Sequence, residues 1–174
     1  MGIGIMVCGL NGSGKSTLGK ALADALGFHF IDIEDLYFPK SSSDYLYANP
    51  RSRDEVERRL LNEGKTFENF VFAAVKGDYG AEILSLFTYA VLISIPKEIR
   101  MKRVRERSYL KFGKRMLPGG DLYDQEEAFF KMVASRTEQY VEDWVNSLQC
   151  DIIRVDGTKH VAENLPIIIK RITG

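Results

Sequence analysis

The chain has 174 residues, 45% hydrophobic and 28% charged, and its 24 Lys and Arg balance 24 Asp and Glu. This is ordinary globular composition, which excludes a wholly disordered, collagen-like or coiled-coil chain, and the zero formal net charge argues against a dedicated nucleic-acid binder. A length within the range of one domain predicts a single unit over 1–174; no apolar run approaches the roughly 20 residues of a membrane span; and the sparse cysteines, Cys8 and Cys150, with no basic stretch ahead of the first apolar run, place the chain in a reducing cytoplasm away from membranes.

Hydrophobic patterning predicts alternating elements. A buried strand over 3–8 ends at Gly9, and a helix over 15–26 carries Leu18, Leu22, Ala25 and Leu26 at helical spacing before Gly27 stops it. A second strand spans 28–33, a helix 54–62, a third strand 69–75 and a short helix 81–87. A fourth strand covers 90–95, and Pro96 opens a helix that runs to about Tyr109. Gly113, Pro118, Gly119 and Gly120 make 111–122 a mobile loop. One long amphipathic helix is expected over 124–148, then a fifth strand over 152–155 and a helical tail from 159 perturbed by Pro166. Repeated strand–helix alternation means an α/β fold: a three-layer α/β/α sandwich around a five-stranded parallel sheet.

Between the first strand and first helix stands Gly9-Leu10-Asn11-Gly12-Ser13-Gly14-Lys15-Ser16, which fits G-x-x-x-x-G-K-[ST]. Glycines let the backbone take positive φ, so successive N–H groups can wrap a phosphate at the positive end of the following helix. Lys15 can reach the β- and γ-phosphates, and the Ser16 hydroxyl can ligate Mg²⁺. The loop resembles that of the P-loop NTPase superfamily, which implies ATP or GTP with Mg²⁺. No N-K-x-D guanine-reading motif is present, and neither the third nor the fourth predicted strand ends in Asp. A second carboxylate for the metal is therefore sought at the end of strand two, where Asp32, Glu34 and Asp35 stand. Strand ends of a parallel sheet face the ligand crevice, so an acid there can take a proton from an acceptor hydroxyl and hold metal-bound water. The plain reading of the same acids is a solvated turn capping the next helix.

With these residues in view the sequence resembles the shikimate and gluconate kinase branch of small P-loop kinases, and nucleoside-monophosphate kinases around the lid. Lys76 and Tyr79 stand at the spacing of a gluconate kinase segment, although shikimate kinases carry a run of three glycines there. Arg136 and Tyr140 resemble the R-x-x-x-Y helix of shikimate kinases. The resemblance implies ATP on Gly9, Asn11, Gly12, Ser13, Gly14, Lys15, Ser16, Thr17 and Arg103, and Mg²⁺ on Ser16 and Asp32. It further implies catalysis by Lys15, Asp32 and Arg107, and an acceptor held by Asp35, Arg53, Lys76, Tyr79 and Arg136. The acceptor-binding region is expected at about 36–64 and a lid at about 108–123.

Between 100 and 115 stand Arg100, Lys102, Arg103, Arg105, Arg107, Lys111, Lys114 and Arg115, opposed only by Glu106. Some of these form a solvated helix face, while lid arginines stabilise a moving phosphoryl group once water is excluded. Tyr37, Phe38, Tyr45, Tyr47 and Arg51 lie in the expected acceptor region, as ring surfaces for a base or sugar or as a self-packed cluster. The expected activity is transfer of the ATP γ-phosphate to a small, hydroxyl-bearing, anionic metabolite by a monomer or homodimer. A nucleoside or nucleotide kinase, and a regulatory ATPase without a small acceptor, are the alternatives.

Overall fold

The computed structural model describes residues 2–40, 45 and 47–174, so positions 41–44 and 46 of the expected acceptor region lie outside the described residues. Among the described residues the elements are β1 (Gly4–Cys8), α1 (Lys15–Leu26), β2 (His29–Asp32), α2 (Ile33–Tyr37), α3 (Arg53–Thr66), β3 (Phe70–Ala73), α4 (Ala81–Leu84) and β4 (Phe87–Ser94). They continue with α5 (Lys97–Phe112), a 3-10 turn (Gly113–Met116), α6 (Tyr123–Ser135), α7 (Glu138–Asn146), β5 (Asp151–Asp156) and α8 (Val161–Thr173).

The strands pair in the order β2-β3-β1-β4-β5, every pair parallel. β1 is central, and all five of its residues are buried. A strand covered on both faces reads as a continuous apolar run, which is why 3–8 is legible without alternation. Side chains still alternate between layers: Ile5 and Val7 pack with Leu18, Leu22 and Ile168 of α1 and α8. Met6 and Cys8 pack on the opposite face with Leu60, Val141 and Val145 of α3 and α7. Burial of each such aliphatic side chain contributes about 1.5–3 kcal/mol, so these two layers, rather than helix propensity, hold the short elements in place. Among the described residues no helix is long and apolar enough to cross a membrane.

Several expectations need correction. The helix expected over 124–148 is two helices, because the chain turns extended at Arg136 (ψ 128°) and Thr137 (ψ 160°). The Arg100 guanidinium donates to the carbonyls of Val133 and Arg136, so groups that would extend α6 are already bonded. The helix expected over 81–87 stops at Leu84, since Phe87 is drawn into β4 and packs 6.1 Å from Phe70 and 6.2 Å from Phe72. The mobile loop expected over 111–122 is instead folded back: α5 runs through Phe112, and buried Met116 joins Val104, Phe130 and Val133 in a separate apolar cluster. Leu122 N donates to Arg115 O at 2.9 Å and Arg115 pairs with Asp121 at 2.7 Å, closing that turn. α8 passes through Pro166, held by an N-terminal capping box of His160 and Glu163 and by its apolar face.

Candidate functional site

The phosphate-loop motif sits where β1 ends and α1 begins. Gly12 (φ +82°) and Gly14 (φ +93°) take the left-handed backbone open to glycine. At Gly12 the loop also lies directly on α5, where a Cβ would overlap the Arg100 carbonyl oxygen and come 2.9 Å from Val104. Gly14 begins α1 without a side-chain cap, so the first N–H groups of the helix keep their donors for an anion. Ser13 Oγ is buried with no hydrogen-bond partner among the described residues, and Ser16 and Thr17 are exposed beside it.

Lys15 Nζ donates to Leu10 O at 3.2 Å, folded onto its own loop. Burial, then the neighbouring Arg107, pushes its ammonium down to about 8, while Asp32 and Glu34 act in the opposite direction. The structure thus brings Arg107, Asp32 and Glu34 within electrostatic reach of Lys15. Val7, Ala73 and Asp32 are in register across β1, β3 and β2. This places Asp32 about 10 Å across the sheet from the root of the loop.

Asp32 is the N-cap of α2, one carboxylate oxygen accepting from Glu34 N at 3.0 Å. The plain reading of these acids, a cap on the next helix, holds for Asp32. α2 itself was not among the expected elements; with only five residues it carries too little periodicity to be read. Asp35 is exposed on α2, and Glu34 meets Lys111 of α5 at 4.0 Å.

Beyond β3 lies a shell of cations. Lys76 pairs with Asp78 at 3.5 Å and lies 4.1 Å from the centre of the Tyr140 ring. The Arg136 guanidinium stands 5.6 Å from the same ring and donates to Asn11 Oδ1 of the phosphate loop at 3.0 Å. Arg53, at the start of α3, bonds Glu57 at 3.1 Å and the Asp78 carbonyl, and sits 4.9 Å from the Tyr79 ring centre. Tyr79 is buried against Phe72 and Tyr37, and burial raises its hydroxyl above the usual phenol range, so it serves as the platform under Arg53.

Arg103 is placed elsewhere. Its guanidinium donates twice to Gly157 O at 3.2 Å, on the wall of a cavity of about 650 Å³. Ser13, Gly14, Thr17, Lys159 and Asn164 also line that cavity. It opens on the β5 side of the loop, whereas Asp32 lies on the β2 side. The loop thus has this cavity on its β5 side and the acids of β2 and α2 on the other.

Among the described residues no group of three or more His, Cys, Asp or Glu could hold a metal. Ser16 and Asp32 carry oxygen donors of the kind Mg²⁺ takes, an ion that needs only one or two from protein and fills the rest with phosphate and water. Arg100 is the buried neighbour of the phosphate loop that sequence reasoning counted only among the basic residues of 100–115. Its signal was its place in the series Arg100, Val104, Ser108, the buried face of α5.

Compared with known proteins, residues 5–128 match the AAA domain family. The chain is 27% identical over 175 residues to the uncharacterized protein YqaC of Bacillus subtilis, covering 95% of this chain and 94% of that one. It is 26% identical over 172 residues to the adenylate kinase isoenzyme 6 homolog of Caenorhabditis elegans, covering 92% and 84%. The shikimate kinase of Acinetobacter baumannii in complex with shikimate superposes with a TM-score of 0.60 at 13% identity, over 99% of this chain and 93% of that one. At that identity the likeness is one of fold.

Proposed function

We propose, for a chain that belongs to the AAA domain family and has the P-loop kinase fold, that it is a kinase moving the γ-phosphate of ATP to a hydroxyl of a small anionic metabolite. The observation that carries this reading is the two-sided loop: a nucleoside-sized cavity bordered by Arg103 on one side, and Asp32 with Arg53, Lys76 and Arg136 on the other. We take residues 1–174 as one unit, with the acceptor near 36–64 and the lid near 108–123.

In this reading the amides of Gly12 to Ser16 and the start of α1 hold the β-phosphate. Lys15 leaves Leu10 O for the β- and γ-phosphate oxygens, whose charge restores its proton affinity. Mg²⁺, held by Ser16 and by Asp32 directly or through water, would neutralise charge on the same oxygens. Asp32 accepts the proton of the acceptor hydroxyl as its oxygen bonds to the γ-phosphorus and the bond to the departing ADP breaks. Arg107 meets the charge spread over the moving group. Arg53, Lys76 and Arg136 hold the acceptor's anionic group by charge-assisted hydrogen bonds, Asp35 binds its hydroxyls, and Tyr79 supports Arg53.

The rings of the acceptor region favour a polar acceptor over a nucleobase, because they are engaged with one another, Phe38 with Tyr47 at 4.8 Å and Tyr45 with Tyr47 at 5.6 Å, and with Phe112 of α5, 5.3 Å from Tyr45. The test is coupled ADP release from Mg·ATP over a panel of sugar acids, cyclic hydroxy acids, polyols and nucleosides. A sugar acid or hydroxy acid that stimulates turnover supports the reading. Stimulation by nucleosides alone favours the nucleoside kinase, and turnover indifferent to every acceptor favours the ATPase.

A further inference from the structure

Arg100 stands in the basic run of α5, yet it is 2% exposed and belongs to no solvated face. Among the described residues no carboxylate forms an ion pair with it; its guanidinium donates to Val133 O at 3.4 Å and to Arg136 O at 3.0 Å. It also touches Met101 Sδ at 3.7 Å, and Glu138 attracts it without forming an ion pair. A buried charge whose hydrogen-bonding oxygens are all carbonyls is an expensive way to hold a fold together, and an apolar side chain of similar volume would ordinarily serve as well. The carbonyls concerned are those at the C-terminal end of α6, the negative end of its dipole, which makes them the best uncharged partners such a cation can have.

We infer that Arg100 is a positioning residue: it ends α6 and thereby holds the Arg136 side chain against the phosphate loop. The contacts form a closed circuit. The Arg100 main chain lies on Gly12, its guanidinium grips the Arg136 carbonyl, and the Arg136 guanidinium returns to Asn11 at 3.0 Å. Both ends of the circuit meet adjacent residues of the loop, so Arg136 cannot shift relative to the loop while these contacts hold. A continuous helix through 135–138 would carry Arg136 out of the extended conformation (φ −74°, ψ 128°) that the circuit uses. The inference rests on the phosphotransferase reading, in which Arg136 holds the anionic group of the acceptor beside the phosphate loop.

The experiment is a double-mutant cycle on wild type, Arg136→Ala, Arg100→Met and the double variant. It reads acceptor-stimulated ADP release from Mg·ATP over the panel of sugar acids and cyclic hydroxy acids named above, Mg·ADP affinity by calorimetry, and hydrogen exchange over residues 133–140. Each single substitution is expected to slow ADP release by roughly ten- to hundredfold. The double variant is expected to be no slower than the slower single, because one residue acts through the other, with Mg·ADP affinity held within about twofold throughout. Arg100→Met also raises exchange over 133–140, and Arg100→Lys, which keeps the charge but reaches fewer carbonyls, restores part of the rate. Multiplying effects in the double variant overturn the inference, as does wild-type ADP release from either single variant. So does equal exchange in Arg100→Met and wild type. If Arg100→Met shows no cooperative melting, Arg100→Lys takes its place in the cycle. A wild-type chain that neither binds Mg·ADP nor releases ADP counts against the phosphotransferase reading, and hydrogen exchange then judges the Arg100 circuit by itself.

Discussion

Substituting Gly12 and Gly14 separately by alanine isolates what the close seat of the phosphate loop on α5 is worth. Both glycines have positive φ, +82° and +93°, so both substitutions carry the left-handed strain of an L residue, about 1–2 kcal/mol. They also share the same small gain from a less flexible unfolded chain, which cancels in the comparison. The surroundings differ. A Cβ on Gly14 meets nothing within 4 Å, whereas one on Gly12 overlaps the Arg100 carbonyl oxygen and lies 2.9 Å from Val104. Arg100 and Val104 are both buried, so neither can swing aside. Forced overpacking of this kind costs about 1–3 kcal/mol beyond the strain. For a chain of this length that difference lowers the melting temperature of Gly12→Ala by roughly 2–12 °C relative to Gly14→Ala. Thermal denaturation without nucleotide, followed by circular dichroism, measures it. A Gly12→Ala protein that melts at or above the temperature of Gly14→Ala would refute the claim that glycine is required there by the approach of α5.

Asp32→Asn should keep the α2 cap, and with it the stability, while Asp32→Ala should lose about 1 kcal/mol. Both should slow acceptor-stimulated ADP release by roughly 10²–10⁴-fold; undiminished transfer by Asp32→Asn would remove the base role. Lys15 titrates near 8 in the folded chain against an ordinary 10.5, so between those values the unfolded chain binds more protons. Stability without nucleotide therefore rises with pH across that window, and phosphate affinity falls above its lower edge. Calorimetry of Mg·ADP binding near about pH 9, in buffers of different ionisation enthalpy, should show proton uptake, and its absence would contradict the burial of that ammonium. Burial also pushes the Cys8 thiol up to about 12. Cys8 should therefore resist thiol reagents at neutral pH until the chain is unfolded, and labelling of native Cys8, located by peptide mapping, would argue against its place in the core.

The amino-acid sequence by itself determined β1, the phosphate loop, α1 and the parallel α/β architecture, because each depends on a local signal: a fully apolar run, glycines at fixed offsets, a helical apolar stripe. For the acids at the end of β2 it offered two readings, a chemical group or a turn capping the next helix, and the structure shows Asp32 as the cap. What tertiary structure decided depends on groups distant in the chain. The break between α6 and α7 is made by Arg100 from α5, which no periodicity within 124–148 could reveal. The fold of 111–122 is set by the burial of Met116 among Val104, Phe130 and Val133, where glycine and proline content alone read as a loop. The separation of Arg103 from Arg107 was hidden for the same reason: residues four apart share a helix face, yet one is bonded to Gly157 after β5 while the other acts on Lys15. Hydrogen bonds to carbonyls and burial between layers are fixed only when the strands have taken their order, so the partners of these side chains are a property of the packed sheet.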